Sequence, residues 1–428
     1  MLVSEILGRM ENGAYDKTLE RLYGAAAVPA RRARWARVIK EFASLYGEKD
    51  AVLFSVPGRT ELSGNHTDHN NGTVLAASVD LDIIAVAAKQ NGSVVKMKSE
   101  GYREDTVDIS VSDKNSVRRG SSGAIIAGVA DWFKKHGYAA GGFCACTASD
   151  VISGSGLSSS AAFEVMCGRI FSEFYNEGRV SMMELAIAGK YSENEFFGKP
   201  CGLMDQAACA NGGCLWLDFK DPASPQCEKI EFDLEKQGFV LCIVNTGGNH
   251  ADLTADYAAV PAEMRAAAGC LGAHTLRFCD EKAFYENIPR LRAECGDRAV
   301  LRAIHFFAEN KRVSAQREAL KRADFSAYLR LVNESGDSSF KYLQNVYSPH
   351  APEEQGISLA LAVSEATGKA AACRVHGGGF AGTIQAYVRA SDAEEYKKAL
   401  ETVFGRDCCY VCRIRGDGAS VVTENGVE

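Results

Sequence analysis

Apolar residues recur at helical spacing through the first 48 positions, as Leu19, Leu22 and Tyr23 and then Trp35, Val38, Ile39 and Phe42. That period predicts helices over 1–48. The pattern then changes to runs and alternations. It predicts a short strand over 51–56 that ends at Pro57 and Gly58, then strands over 73–79, 82–88 and 94–99. The last two are joined by Gln90, Asn91 and Gly92, a hairpin signal. A helix over 122–136 and a strand over 142–148 follow. That strand runs into a glycine- and serine-rich turn at 153–160, which opens a helix reaching 174. Helices are expected over 182–197 and 202–210, a buried strand over 239–245, and helices over 257–271, 283–284, 301–320, 325–347 and 353–367. Strands over 371–375, 383–388 and 409–415, with a helix over 393–403, close the chain. The polar stretch 220–237 is the expected boundary, which gives an α+β protein of two domains, 1–220 and 221–428.

Composition narrows the classes. The 428 residues are 46% hydrophobic and 24% charged, which excludes collagen-like and largely disordered chains. Lys and Arg number 48 against 55 Asp and Glu, a formal charge of −7, so no basic face for nucleic acid is expected. Residues 1–22 mix charges throughout, unlike a signal peptide, and no apolar run approaches the ~20 residues that span a bilayer. A cytoplasmic enzyme without membrane contact, a monomer or weak dimer, is the expectation. The 15 cysteines mostly occupy apolar settings, such as Cys144, Cys146 and Cys242, where they act as small hydrophobes. Cys409 and Cys412 form a lone C-x-x-C with no second pair at zinc spacing.

Four polar or glycine-rich stretches stand out. The turn Gly154, Ser155, Gly156, Leu157, Ser158, Ser159, Ser160 lies between a strand and a helix, where free N–H groups and the helix dipole attract an anion. An ordinary serine-capped helix is the alternative. The turn is neither a Walker loop nor a G-x-S-x-G elbow. The segment 377–382 matches G-x-G-x-x-G, but a strand-like alternation follows where a dinucleotide fold needs a helix. The stretch 57–72 carries Arg59, Glu61, Asn65, His66, Asp68 and His69. A metal is one reading of it, although neighbouring ligands in one loop seldom share geometry. A site that binds a many-hydroxyl ligand suits this variety of donors and acceptors better. Finally, Asp205 sits among small and apolar residues at a helix start, either as a dipole-stabilised carboxylate or as a proton acceptor.

Together these stretches, in this order, resemble the galactokinases of the GHMP kinase superfamily over most of the chain. The family pattern G-R-x-N-L-x-G-E-H-T-D-Y is matched by Gly58, Arg59, Leu62, Gly64, His66, Thr67 and Asp68; G-L-S-S-S-A stands at 156–161, and the family's G-I-M-D-Q at 202–206. The resemblance implies a GHMP kinase fold, with an N-terminal ribosomal-protein-S5-like α/β domain, a C-terminal ferredoxin-like α+β domain and the active site between them. It implies ATP-dependent phosphorylation of the anomeric hydroxyl of galactose, with ATP and Mg²⁺ as cofactors. Asp205 would take the proton and Arg59 would hold it ionised. Gly154–Ser160 would wrap the phosphates, and Ser159 with Glu193 would hold Mg²⁺. Asn65, His66, Asp68, Gly202 and Tyr257 would line the sugar site, with Asp68 reading C4. The chain departs from the pattern at Asn65, where the family has Glu facing the C6 hydroxyl, at His69 for Tyr, and at Thr60 and Glu61 for Val and Asn. An amide at 65 would admit galacturonate or a related sugar as an alternative substrate. A sugar sensor without turnover is a further alternative, although sensors lose residues from the serine loop and this chain keeps them. Mevalonate- or homoserine-type kinases lack the sugar-rich first signature.

Overall fold

Strand β1 (Val52–Ser63) is twice the length expected, because it does not stop at Pro57 and Gly58. It pairs antiparallel with β2 (Thr73–Lys89), and two register shifts, at Pro57/Arg59 and Glu61/Ser63, absorb the irregular residues. Bulges of this kind bend a strand without ending it. The polar stretch expected as a loop is therefore half strand, and Arg59 and Glu61 are held by a sheet ladder. The two strands expected over 73–79 and 82–88 are one strand, β2. We describe residues 1–428 of this computed structural model except 112, 116, 152–155, 223, 249–252 and the side chain of Thr254.

The large sheet runs β13-β12-β1-β2-β5-β3-β4, with β6 and β7 added beside β2. Its remaining strands are β3 (Val94–Ser99), β4 (Asp105–Asp108), β5 (Phe143–Ser149), β6 (Cys214–Asp218), β7 (Gln226–Ile230), β12 (Ser420–Thr423) and β13 (Gly426–Val427). The expected hairpin between β2 and β3 is not formed. β5 lies between them, antiparallel to β2 and parallel to β3, so the Asn91-Gly92 turn redirects the chain across a neighbour. The polar stretch 220–237 is not a bare link either, since β7 pairs with β6 inside it. β7 is an edge strand whose alternating charges hide it from hydrophobic periodicity. The large sheet thus extends past position 220 and takes in the last strands of the chain.

Alternation along the strands divides the core between two faces. Phe54, Ala85, Ala87, Phe143 and Ala145 meet the helices Ser122–Lys135, Ser159–Asn176, Met182–Ser192 and Met204–Asn211. Leu53, Ile84, Val86, Cys144 and Cys146 face Trp35, Ile39 and Phe42 from the N-terminal helices Val3–Glu11, Asp16–Tyr23 and Val28–Tyr46. Fully burying each such large side chain contributes about 1.5–3 kcal/mol. A buried ion cluster ties this second layer down. Asp82 accepts from Arg34 at 2.6 Å, Arg415 at 3.1 Å and the Tyr23 hydroxyl at 2.5 Å, and also from Ser55. Burial alone would push Asp82 up, but the two guanidinium groups outweigh it and hold the carboxyl low.

The second sheet is antiparallel, ordered β11-β8-β10-β9, with β8 (Phe239–Asn245), β9 (Ala370–His376), β10 (Thr383–Arg389) and β11 (Cys409–Cys412). Helices Gly356–Ala366 and Ala393–Phe404 cover one face through Ala360, Tyr396 and Leu400, and Tyr328 of the helix Phe325–Ser338 reaches Tyr387 on the other. Helices between Thr254 and Lys321 form a separate apolar cluster around Met264, Phe284 and Phe306. All fifteen cysteines are free thiols, and Cys409 and Cys412 are buried in β11. Among the described residues no helix is long and apolar enough to cross a membrane.

Candidate active site

Arg59 on β1 and Asp205, in the first turn of the helix Met204–Asn211, meet as a two-pronged pair. Arg59 Nε donates to Asp205 Oδ1 at 2.7 Å and Nη2 donates to Oδ2 at 2.7 Å. Such parallel bonds fix orientation as well as charge. Burial would raise Asp205, yet Arg59, the Ser158 hydroxyl that donates to Oδ2, and Lys199 together bring it below the usual carboxylate range. The third nitrogen of Arg59, Nη1, donates to the Gly156 carbonyl. The carboxylate, the guanidinium and the glycine–serine turn are thus one unit.

That turn opens the helix Ser159–Asn176 through Ser158, whose φ of 56° lies in the left-handed region. A non-glycine residue there is strained, and such strain gathers at functional sites. Gly156 has φ +70°, and a Cβ on it would come within 2.9 Å of Thr383 Oγ1 and 3.0 Å of His376 Nδ1. The turn is therefore pressed against β9 and β10 of the second sheet. Gly154 and Ser155 lie outside the described residues.

Beside the turn lies a carboxylate cluster. Ser160 Oγ donates to Glu193 Oε1 at 3.4 Å, and Lys199 Nζ pairs with the same oxygen at 3.2 Å. Gln206 Nε2 bridges Glu193 at 3.2 Å and Glu164 at 2.9 Å. Glu164 is fully buried, and burial and then the charge of Glu193 push its carboxyl well up. Its other oxygen, Oε1, has no hydrogen-bond partner among the described residues. Among the described residues no group of three or more His, Cys, Asp or Glu side chains is arranged to hold a metal. The donors present are hydroxyl and carboxylate oxygens with one buried oxygen unspent. That set fits a hard cation such as Mg²⁺, which takes only one or two protein ligands and leaves the rest to phosphates and water.

The stretch 57–72 forms the other wall. Asp68 and Gly202, read from separate motifs, are in contact: a Cβ on Gly202 would stand 2.6 Å from Asp68 Oδ2. We expect Gly202→Ala to displace that carboxylate and raise the sugar KM about tenfold with little change in kcat, as steady-state kinetics would show. Tyr257 closes the site, its ring 5.4 Å from that of His66 and its hydroxyl against Gly378, where no Cβ would fit. His66 is buried and spends both ring nitrogens on protein. Nε2 stands 2.9 Å from the Gly378 carbonyl and Nδ1 3.3 Å from His69 Nδ1. A carbonyl only accepts, so Nε2 carries the proton. Burial and then His69 lower His66 to about 3, which keeps it neutral.

Asn65 is wholly buried, and its amide faces protein on every side. Nδ2 donates to Glu61 at 3.0 Å and to the Gly377 carbonyl at 2.5 Å, while Oδ1 accepts from Asn345 at 2.7 Å. Neither amide proton is left for a ligand. Sequence reasoning missed Glu61, Glu164, Arg374, Asn345 and Glu309 as parts of this site. Only Glu61 carried a signal, as a carboxylate where the family pattern has Asn.

The chain is similar to known proteins in both sequence and fold. Residues 40–89 match the galactokinase galactose-binding signature, and residues 124–213 match the GHMP kinases N terminal domain. Galactokinase of Streptomyces coelicolor is 30% identical over 370 residues, 85% of this chain and 92% of that protein. Galactokinase of Glaesserella parasuis is 29% identical over 399 residues, 89% and 98% of the two chains. In fold, the chain superposes on Lactococcus lactis galactokinase complexed with galactose with a TM-score of 0.77 at 24% identity, covering 91% of this chain and 99% of that one. A mevalonate kinase structure reaches 0.60 at 16% identity, over 86% of this chain and all of that one, 100%. This chain belongs to the galactokinase family of the GHMP kinase superfamily.

Proposed function

We propose that this chain transfers the terminal phosphoryl group of ATP to the anomeric hydroxyl of galactose, giving galactose 1-phosphate. The observation that carries the reading is the Arg59 fork on Asp205, seated against the glycine–serine turn. Phosphoryl transfer asks mainly for positioning and for charge stabilisation, and this unit offers both. Asp205 orients the anomeric hydroxyl and accepts its proton as the bond to phosphorus forms. Arg59 keeps Asp205 ionised until then and offsets negative charge as it grows on the phosphoryl oxygens. The turn 154–160 and the helix behind it cradle the phosphates. Glu193, with Ser159 or Ser160, would hold Mg²⁺, which would supply positive charge for the phosphate oxygens.

Asp68, with Gly202 beneath it, and Tyr257 bind the sugar, while His66 and Asn65 hold the wall behind them. A uronic acid is not favoured. The amide of Asn65 that would welcome a second carboxylate already donates to Glu61 and Gly377. A coupled ADP-release assay with ATP and Mg²⁺ tests the reading on galactose, galacturonate, N-acetylgalactosamine, glucose and arabinose. We expect galactose to be turned over best. Ligand binding without ADP release, or a preference for galacturonate, would overturn it.

A further inference from the structure

Lys199 lies in the carboxylate cluster but takes no part in the phosphoryl transfer proposed for Asp205 and Arg59. Its Nζ stands 3.2 Å from Glu193 Oε1, the oxygen that also accepts from Ser160 at 3.4 Å. The two partners differ in exposure, the lysine side chain being 64% exposed and the glutamate 4%. The ammonium therefore reaches in from solvent and lies over a buried carboxylate. Its backbone is fixed on the same residue. Glu193–Phe197 is a π-helical turn, and the amides of Gly198 and Lys199 both donate to the Glu193 carbonyl, at 2.9 and 3.0 Å. Single turns of this kind are frequent at functional sites. The chain is thus held up to the lysine backbone, while the flexible stem beyond it stands in water.

A carboxylate paired with an ammonium is poorly placed to hold Mg²⁺ as well, since two cations on it repel each other. The ammonium has another anion within its sweep once ATP is bound. Ser160 lies in the first turn of the helix Ser159–Asn176, so phosphates drawn to that helix start lie beside the oxygen that Lys199 holds. Its charge also reaches the Asp205 carboxylate, at the end of the site where the terminal phosphate meets the accepting hydroxyl. We propose that Lys199 is a mobile counter-ion, which neutralises Glu193 in the free chain and passes to the terminal phosphate of ATP when Glu193 takes up the cation. A lysine suits such a transfer, because a point charge on a flexible stem can bind phosphate oxygens from many directions. ADP has no terminal phosphate to receive it, so the contact separates substrate from product.

The proposal rests on the ATP kinase reading. Calorimetric titration of the wild-type chain with ATP and Mg²⁺ checks that reading first, with 1-deoxygalactose, which lacks the reacting hydroxyl, in the sugar site. Absence of ATP binding there would overturn both. The inference itself is tested by titrating ATP and ADP into wild type and Lys199→Met at saturating Mg²⁺. We expect the variant to bind ATP about tenfold more weakly, the size of a lost hydrogen bond to a charged group. ADP should bind as tightly as to wild type or more so, which also reports an intact fold. Repeating the ADP titration at graded Mg²⁺ gives a second reading of opposite sign. With its competitor at Glu193 removed, the variant is expected to need about threefold less Mg²⁺ for half-maximal affinity, as the loss of an exposed ion pair predicts. Lys199→Arg keeps the charge and is expected to keep the wild-type preference for ATP. Equal weakening of ATP and ADP would make Lys199 a structural part of its loop, and unchanged ATP binding would make it a surface pair; either overturns the proposal. A Mg²⁺ requirement that stays the same or rises would overturn the exchange at Glu193.

Discussion

Asp205→Asn is expected to lower kcat on galactose by about 10³-fold or more while ATP still binds. Two losses combine. The amide cannot take the proton of the anomeric hydroxyl, and it cannot accept from both prongs of Arg59, since one of its two ends is itself a donor. Arg59 is nearly fully buried, so one of its two bonds of 2.7 Å is replaced by a donor facing a donor. The guanidinium then swings toward its remaining acceptor, the Gly156 carbonyl, and takes the glycine–serine turn with it. Single-turnover phosphorylation measured beside nucleotide binding separates the chemistry from the folding consequence. A variant within tenfold of wild-type kcat, with nucleotide affinity unchanged, would remove Asp205 from the reaction.

The resemblance to a family, carried by short motifs, is what implied that Asp205, Arg59 and the serine turn share one site; the residues of each motif alone left a bland alternative open. Long elements packed by periodicity were legible from their own residues: β8 runs from Phe239 to Asn245 as its uninterrupted apolar run predicts. What escaped depends on partners distant in the chain. β1 continues through Pro57 and Gly58 only because β2 supplies a ladder that tolerates two register shifts. The Asn91-Gly92 turn looks like a hairpin because nothing local says that β5, some fifty residues later, will lie between its strands. Asn65 reads as a substrate ligand because it stands where the family pattern has its Glu. Its real partners, Asn345 and the Gly377 carbonyl, lie about 280 and 312 residues away. The remaining buried charges, Arg374 and Glu309, sit in a strand and a helix where polar residues pass for solvent-facing positions.

Glu309 is the buried charge whose loss should reach furthest. From the helix Asp297–Lys321 its Oε1 accepts from the Gly64 amide at 3.1 Å, the Ser63 hydroxyl at 3.1 Å and the Ser335 hydroxyl at 2.6 Å, while Oε2 pairs with Arg312. One carboxylate thus clamps the turn that follows β1 to two helices. Burial would raise its pKa, but His305, Arg312, Arg374 and the Ser335 hydroxyl outweigh burial and bring it to about 2. A glutamate held below its unfolded value, about 4.3, adds stability that is complete above that value. That stability is lost as pH falls from there toward about 2. Glu309→Gln keeps the shape and removes the charge, leaving Arg312 without its partner, so we expect a cost of about 3 kcal/mol at pH 7. Urea unfolding of the two proteins at pH 7 and pH 4 checks the origin of that cost, because a charge effect narrows in acid and a packing effect does not. The same variant should raise the galactose KM several-fold, since the Gly64 turn that carries Asn65, His66 and Asp68 would lose its charged anchor. A variant equal to wild type in stability at pH 7 would mean that the hydroxyl and amide bonds, which glutamine retains, hold the turn without the charge.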